Sequence, residues 1–476
     1  MNFALPDVNL VAVLPELILL AAAVGVLFFR APGSNGMALG TALAAVVLSV
    51  LVTPFLHGQL SGTAFSGAIG KDDAALFFIF LADLAVLVAL ALSRNDTLGD
   101  GNGEAYYGLL LFALFGMHVM ISARDLLVLF LGLEILSLPF YVLTGFHRKR
   151  KEGLEGAVKY FLLGSFSSAL FLLGMALYYG GAGTTSLGAL FSAGQPVFLF
   201  AGLAFVTAGL AFKIAAVPFH MWAPDVYEGA PLSVAACISV APKVAAFAVL
   251  LHLGLLYAGS GADFFPWAVA AMAAAGMVVG NLAALRQEGL VRMLAYSGIA
   301  QAGYILMGLP LLSPEGHSAI AFYLFVYLVM NLGAFAAAIT MAAPGKTGPR
   351  IIDLAGLASR RPFLAFAMAV FMVSLAGLPP TGGFFAKFFI FKAAVGAGWL
   401  TLVLLAVVMS VVSLFYYLKV IVVMYMRPGE GTEDREVESP FSGALIAFMA
   451  LVTLATGLLP SPLFHGIQSL FSRIIL

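Results

Sequence analysis

The chain has 476 residues, 62% hydrophobic and 10% charged, with Lys plus Arg equal to Asp plus Glu at 23 each. A soluble protein carries roughly 25% charged residues, so water is not the main solvent, and the balanced charge argues against nucleic acid as a partner. The single cysteine, Cys237, cannot hold an iron–sulfur cluster, build a structural zinc site or close a disulfide, and the seven histidines are scattered without ligand spacing.

A helix crosses the hydrocarbon core with about 20 apolar residues and satisfies its own backbone, because lipid offers no partners. On that ruler the chain reads as an all-α integral membrane protein with fourteen transmembrane helices. They cover 8–29, 36–57, 73–93, 105–122, 125–146, 155–180, 196–219, 229–258, 264–284, 290–311, 317–342, 362–396, 398–426 and 440–460. The first stretch has no basic segment before it and no small-residue cleavage site after it, so it reads as a span and not a signal peptide. The tail after Pro460 reads as interfacial.

Basic residues set the orientation. Loops after odd-numbered spans hold Arg30, Arg94, Arg148, Lys149, Arg150, Lys151, Arg286, Arg292, Lys346, Arg350, Arg360, Arg361, Arg427 and Arg435; those after even-numbered spans, with the tail, hold only Lys71, Arg124 and Arg473. The excess places the odd-end loops in the cytoplasm and both termini outside. The longest hydrophilic loop, 427–439, is too short for a fused catalytic domain.

Charges inside the spans carry the functional reading. Glu134 lies ten residues after Arg124, about 15 Å into the bilayer. Lys213 precedes Pro218 by five residues in the seventh span, and Lys243 directly follows Pro242 in the eighth. Lys387 follows the break Gly377-Leu378-Pro379-Pro380-Thr381-Gly382-Gly383 in the twelfth. Each such charge costs about 2.5–3.5 kcal/mol at the helix centre, and stability does not require them. Structural ion pairing or snorkelling is the plainer explanation, and snorkelling suits Lys159, Lys392 and Lys419 near span ends. It suits Glu134 poorly, because that side chain is short and central. A lysine and a glutamate can trade a proton as burial and pairing change, so Glu134, Lys213, Lys243 and Lys387 read as a relay. Glu16 and Asp83 are further intramembrane acids, open to either a peripheral path or a structural role. His220, at the cytoplasmic end of the seventh span, can shuttle protons or simply hydrogen-bond. Asp225 and Glu228 read as solvated loop acids.

Val217-Pro218 and Leu378-Pro379-Pro380 interrupt helices 7 and 12 at membrane depth. Broken helices are tolerated where they line protein or water and recur at transport sites, although packing kinks explain them too. Lys213 precedes its break and Lys387 follows its own, which suits two inverted five-helix repeats, spans 4–8 and 9–13. The chain then divides into a three-helix segment (1–104), a first repeat (105–258), a second (259–426) and a loop, last span and tail (427–476).

The segment FKIAAVPFHMWAPDVYEGAP (Phe212 to Pro231) resembles the antiporter-like membrane subunits of bacterial respiratory complex I, and its DVYEGAP ending resembles the N-type branch. The resemblance extends through the PEL of 15–17, LGLEILSLPFYVL at 131–143, LVRMLAYSGIAQAGY at 290–304 and LAGLPPTGGFFAKF at 375–388. Lysine at 387 supports N, where the M type carries glutamate, and the chain lacks the long lateral helix that continues the L type. The resemblance implies that Glu134 is the acid of an input half-channel paired with Lys213, that Lys243 is the central connecting lysine, and that Lys387 ends the output half-channel. It places Lys159 and His220 on a secondary path. It implies no cofactor in this chain, with flavin and iron–sulfur clusters in partner subunits that carry electrons from NADH to quinone. Other membrane and peripheral-arm subunits would be the partners, in a bacterial inner membrane. A multi-subunit cation/proton antiporter is the alternative, and a passive scaffold a third; loss of pumping in an assembled Lys213→Ala complex would remove the last.

Overall fold

Apolar runs longer than the bilayer is thick fold here as long helices, and the breaks fall where proline and glycine interrupt the pattern. The computed structural model describes residues 9–29, 35–55, 62–96, 102–188, 196–260, 264–342, 348–429 and 440–471. Arg30, Lys346, Arg435, Arg473 and the acids of 430–438, used in the charge count and loop reading, lie outside the described residues. So do the other ends and loops that those spans and domains include.

The N-terminal segment holds α1 (Leu14–Val26), α2 (Asn35–Phe55), a two-stranded antiparallel hairpin of β1 (Gly62–Ala64) and β2 (Ile69–Lys71), and α3 (Asp73–Leu92). The hairpin departs from the all-helical expectation. Three-residue strands are too short to leave a periodic trace, and its turn places Phe65 and Ser66 at positive φ. Asp72 then caps α3 by accepting from Ala75 N at 2.7 Å.

Next come α4 (Gly103–Ser122), α5 (Leu126–Thr144), α6 (Lys151–Ala182), α7 (Pro196–Lys213), the short α8 (Ala223–Gly229) and α9 (Leu232–Ser260). A second series follows with α10 (Phe264–Leu285), α11 (Leu290–Leu306), α12 (Pro314–Met341), the single turn α13 (Leu357–Arg360), α14 (Pro362–Ala376), α15 (Gly382–Gly396) and α16 (Leu400–Met426). The chain finishes with α17 (Pro440–Leu458) and α18 (Pro460–Phe471). Among the described residues eleven helices are long and apolar enough to cross a membrane, and α1, α7 and α14 are shorter apolar helices. The protein is a multi-pass, essentially all-helical membrane protein.

Lipid gives helices no hydrophobic reason to associate, so small residues and polar contacts set the packing. Gly116 of α4 and Gly132 of α5 meet so closely that a Cβ on either would reach the other helix's backbone within 2.6 Å. Gly280 of α10 and Gly303 of α11 repeat the arrangement, with backbone at 2.5 and 2.7 Å. Helices α9 and α12 form the centre, 94% of each spanning window being buried, whereas α6 is a peripheral helix at 28%. Lys213, Lys243 and Lys387 are all buried within the bundle.

Candidate functional site

Helix α7 ends at Lys213, where Pro218 removes a backbone donor five residues on. The Phe212 carbonyl, in the last turn of α7, accepts from Ala215 N at 3.0 Å and also from Trp222 Nε1 at 3.0 Å, from just beyond the break. The Lys213 ammonium points inward and is 2% exposed. It lies 5.4 Å from the Tyr141 ring, 5.6 Å from Tyr160 and 5.5 Å from Phe212, an aromatic cage suited to a cation. Among the described residues it has no hydrogen-bond partner, and neither have the buried hydroxyls of Tyr141 and Tyr160.

Glu134 on α5 is half-buried and accepts a short hydrogen bond from Ser168 Oγ on α6. Its carboxylate is close enough to act electrostatically on both Lys213 and Tyr141. Lys213 nevertheless makes no hydrogen bond to it, so the expected pairing takes the form of a charge acting through space. Gly164 makes room for that tyrosine: a Cβ there would overlap the Tyr141 hydroxyl.

Lys243, 1% exposed, reaches from the centre of α9 to α11, where its ammonium donates to Gly298 O at 2.7 Å. The Tyr327 ring lies 5.5 Å away, and the Tyr327 hydroxyl donates to Ser239 O at 3.3 Å. Between Lys213 and Lys243 the packing is aromatic: Trp222 stacks on Tyr160 at 4.4 Å and meets Tyr227 at 6.3 Å. The structure does not join these two lysines by side-chain hydrogen bonds.

From Lys243 onward polar contacts follow one another in three short segments, at Gly298, at Ser297–Tyr417–Gln301 and at the end of α14. Ser297, next to Gly298, shares a 2.5 Å hydrogen bond with the Tyr417 hydroxyl. Gln301 donates to Tyr417 at 3.2 Å and to Leu375 O at 2.9 Å, and accepts from the Tyr323 hydroxyl at 2.5 Å. Leu375 and Ala376 are the last residues of α14 before the break, and Lys387 folds back to donate to Ala376 O at 2.9 Å. The unpaired carbonyls of a helix C-terminus carry partial negative charge, and here they hold an ammonium. Lys387 also lies 4.5 Å from the Tyr304 ring, whose hydroxyl accepts from Asn281 Nδ2 at 3.1 Å. Gly377, at φ 85°, leaves space that a Cβ would close, since it would come within 2.8 Å of Lys387 Cδ. Lys387 is 5% exposed, so none of the three central lysines faces lipid.

Lys159, Lys419 and Lys392 lie outside this line. Lys419 donates to Gln287 O at 3.2 Å near a helix end. Lys159 pairs with Glu155 and Asp225, each at 2.6 Å. Asp225 also binds Arg292 at 2.8 Å, and Glu228 binds Arg292 at 2.6 Å. Asp225 and Glu228 are therefore not free solvated acids: α8 uses them to clasp α6 and α11. Burial alone would raise the Asp225 carboxyl, but hydrogen bonds from Lys159 and Arg292 outweigh it and hold the group below the ordinary carboxylate range. His220 lies just before α8, half-buried, with Nδ1 unpartnered.

Glu16 and Asp83 prove to belong to one buried cluster. Lys71, which the sequence suggested was an ordinary loop cation, is 4% exposed and pairs with Glu16 at 2.8 Å. His118 Nε2 donates to Asp83 at 2.8 Å, with Nδ1 3.6 Å from Glu16, and Ser49 donates to Asp83 at 2.8 Å. The cluster ties α1, α2, β2, α3 and α4 together. Sequence reasoning also missed Ser168, Ser297, Gln301, Tyr323 and Tyr417. The signal was present in part: Ser297, Gln301 and Tyr304 fall at four- and three-residue spacing on one face of α11.

A family model described as "NADH:quinone oxidoreductase/Mrp antiporter, TM" matches residues 123–413. The NADH-quinone oxidoreductase subunit N 2 of Rhizobium meliloti (strain 1021) is 42% identical over 443 residues, 90% of each chain. A chain of respiratory complex I from Thermus thermophilus, solved with bound aureothin, superposes with a TM-score of 0.83 at 36% identity, covering 95% of this chain and 99% of that one. A chain of an archaeal membrane-bound sulfane sulfur reductase superposes at 0.88 with 26% identity, covering 98% and 97%. The chain belongs to the membrane-spanning family that unites NADH:quinone oxidoreductase and Mrp antiporter subunits.

Proposed function

We propose that this chain is the N-type proton-translocating membrane subunit of an NADH:quinone oxidoreductase. It couples electron transfer in other subunits to proton movement through its own buried Glu and Lys residues. The observation that carries this reading is the enclosed succession of polar groups from Lys243 at Gly298 O, through the bonded Ser297, Tyr417 and Gln301, to the broken end of α14, where Gln301 bonds Leu375 O and Lys387 bonds Ala376 O. A structural core has no need of ammonium groups at these depths. Hydroxyl groups in series pass a proton by exchanging donor and acceptor roles, and Gln301 holds the Tyr323 and Tyr417 hydroxyls in place.

In this mechanism Glu134 receives the proton from the cytoplasmic side, with Ser168 fixing its carboxyl. Movement of its charge towards or away from Lys213 decides whether that lysine keeps its proton. Rearrangement of the aromatic cage of Tyr141, Tyr160 and Trp222 closes the gap to Lys243. Lys243 then gives its proton to the Ser297 and Tyr417 hydroxyls once side-chain movement brings them within reach, and Lys387 takes it up beyond the broken end of α14 and releases it on the outer side. Lys159 and His220 form a secondary entry at the ion-paired cytoplasmic end of the first repeat. We propose fourteen spans, the four-part domain division and inverted repeats over spans 4–8 and 9–13. The matching glycine contacts of α4 with α5 and of α10 with α11 support the repeats.

We place the membrane of residence as the bacterial inner membrane, with both termini outside the cytoplasm. We place flavin and iron–sulfur clusters in partner membrane and peripheral-arm subunits; this chain, with one cysteine, acts without redox chemistry of its own. A cation/proton antiporter subunit is the second reading, because the family description spans both kinds of complex. Purifying the native assembly separates them. Co-purification with flavin and iron–sulfur proteins supports the first, and co-purification with small membrane subunits alone rejects it.

A further inference from the structure

One large cavity lies away from the lysine line, where the first turn of α12, the end of α15 and the amphipathic α18 converge. Glu315, Phe389, Lys392, Phe464, His465 and Gln468 help to line this open groove of about 570 Å³, a volume in the range of small-molecule sites. The first turn of the spanning helix α12 lines the groove beside the last turns of α15, so we place the groove at the boundary between hydrocarbon and headgroups. Helix α18 buries Ile467 and Phe471 and exposes Ser461, His465 and Gln468, the pattern of a helix lying in that boundary.

Two features mark a ligand. Lys392 and Glu315 are exposed groups of opposite charge lining one groove, and among the described residues neither makes an ion pair or a hydrogen bond, with each other or with anything else. Beneath them Phe389 and Phe464 stack at 3.9 Å and form an apolar wall, with Phe389 about one helical turn deeper than Lys392. A charged pair above and an aromatic wall below matches an amphiphile whose head carries both signs.

We propose that this groove binds a membrane phospholipid whose headgroup combines a phosphate with a primary ammonium. Lys392 receives the phosphate, with His465 and Gln468 as further hydrogen-bond donors. Glu315 receives the ammonium, and one acyl chain runs along Phe389 and Phe464. An anionic headgroup without an amine leaves Glu315 facing like charge. A trimethylated amine has no N–H to donate to the carboxylate. The inference is independent of the proton-transfer reading.

The test uses the intact membrane assembly and phosphatidylethanolamine bearing a photoactivatable acyl chain, with labelled peptides mapped by mass spectrometry. The expected result is labelling of peptides from 385–397 and 460–471, competed about tenfold better by unlabelled phosphatidylethanolamine than by phosphatidylglycerol or phosphatidylcholine, as expected for loss of one charge-assisted contact. Lys392→Gln and Glu315→Gln should each reduce labelling of these peptides by about the same factor, with labelling elsewhere unchanged. Equal competition by all three lipids overturns the proposal, and so does labelling that survives both substitutions or occupation of the groove by a protein segment. The competition arm uses the unaltered protein, so it stays decisive if a variant fails to assemble.

Discussion

Gly298→Ala perturbs the proposed line without removing any charge or hydrogen-bonding group. A Cβ at this position would lie 3.0 Å from Lys243 Nζ and 3.1 Å from the Tyr327 hydroxyl, with nothing else within 4 Å. Both groups must give by a few tenths of an ångström, and the 2.7 Å bond from Lys243 to Gly298 O must lengthen. Alanine favours a helix interior over glycine by about 1 kcal/mol, so the crowding is offset and stability should change by no more than about that amount. The bond under strain involves an ionised donor and contributes about 1.5–3 kcal/mol. Its complete loss would shift the occupancy of that proton position by roughly 10- to 150-fold. Proton translocation in vesicles carrying the assembled complex, followed with a pH-sensitive dye, should fall by about tenfold while thermal stability and subunit incorporation hold. Unchanged translocation in fully assembled vesicles would refute the role given to the Lys243–Gly298 contact. A loss of translocation accompanied by failed assembly would refute the stability reasoning instead.

Other perturbations act on separate parts of the molecule. Lys71→Met leaves the Glu16 carboxylate buried without its partner, and removing one member of a buried pair costs about 3–5 kcal/mol; thermal unfolding of the purified protein should drop accordingly, whereas an exposed loop lysine would show no change. Gln301→Leu strips the partner from the Tyr323 hydroxyl and the Leu375 carbonyl, at about 1–3 kcal/mol for each group left unsatisfied, while Tyr417 keeps Ser297; it should lower thermal stability as well as translocation. Asp225 is held below the ordinary carboxylate range by Lys159 and Arg292. Its contribution is therefore complete above about pH 4 and fades as acid protonates it. Asp225→Asn should flatten the acid side of the stability profile and leave its neutral side pH-independent.

The positions of Glu134, Lys213, Lys243 and Lys387 were legible because a charge in an apolar span stands out whatever the tertiary structure. The broken helices were legible for a similar reason, since proline and glycine act locally on the backbone. Partnerships were not. Asp225 looked solvated because Arg292, which holds it, lies 67 residues away on another helix. Lys71 looked like a loop cation because no sequence feature tells that a three-residue strand will carry it under α1. Ser297, Gln301 and Tyr304 gave a polar face on α11, but the tyrosines that complete the line come from α12 and α16. The Glu134–Lys213 pairing was anticipated as a contact; the structure leaves an interaction through space, with no hydrogen bond between the two.

The most direct measurement of the central claim is the proton translocation rate of vesicles containing the assembled complex with Lys243→Met, a side chain of similar length that cannot carry a proton. If buried ammonium groups conduct, the rate falls by at least about tenfold with the subunit fully incorporated. Translocation at the unaltered rate would contradict the account, because protons would then be crossing without the group at which the succession of polar groups begins.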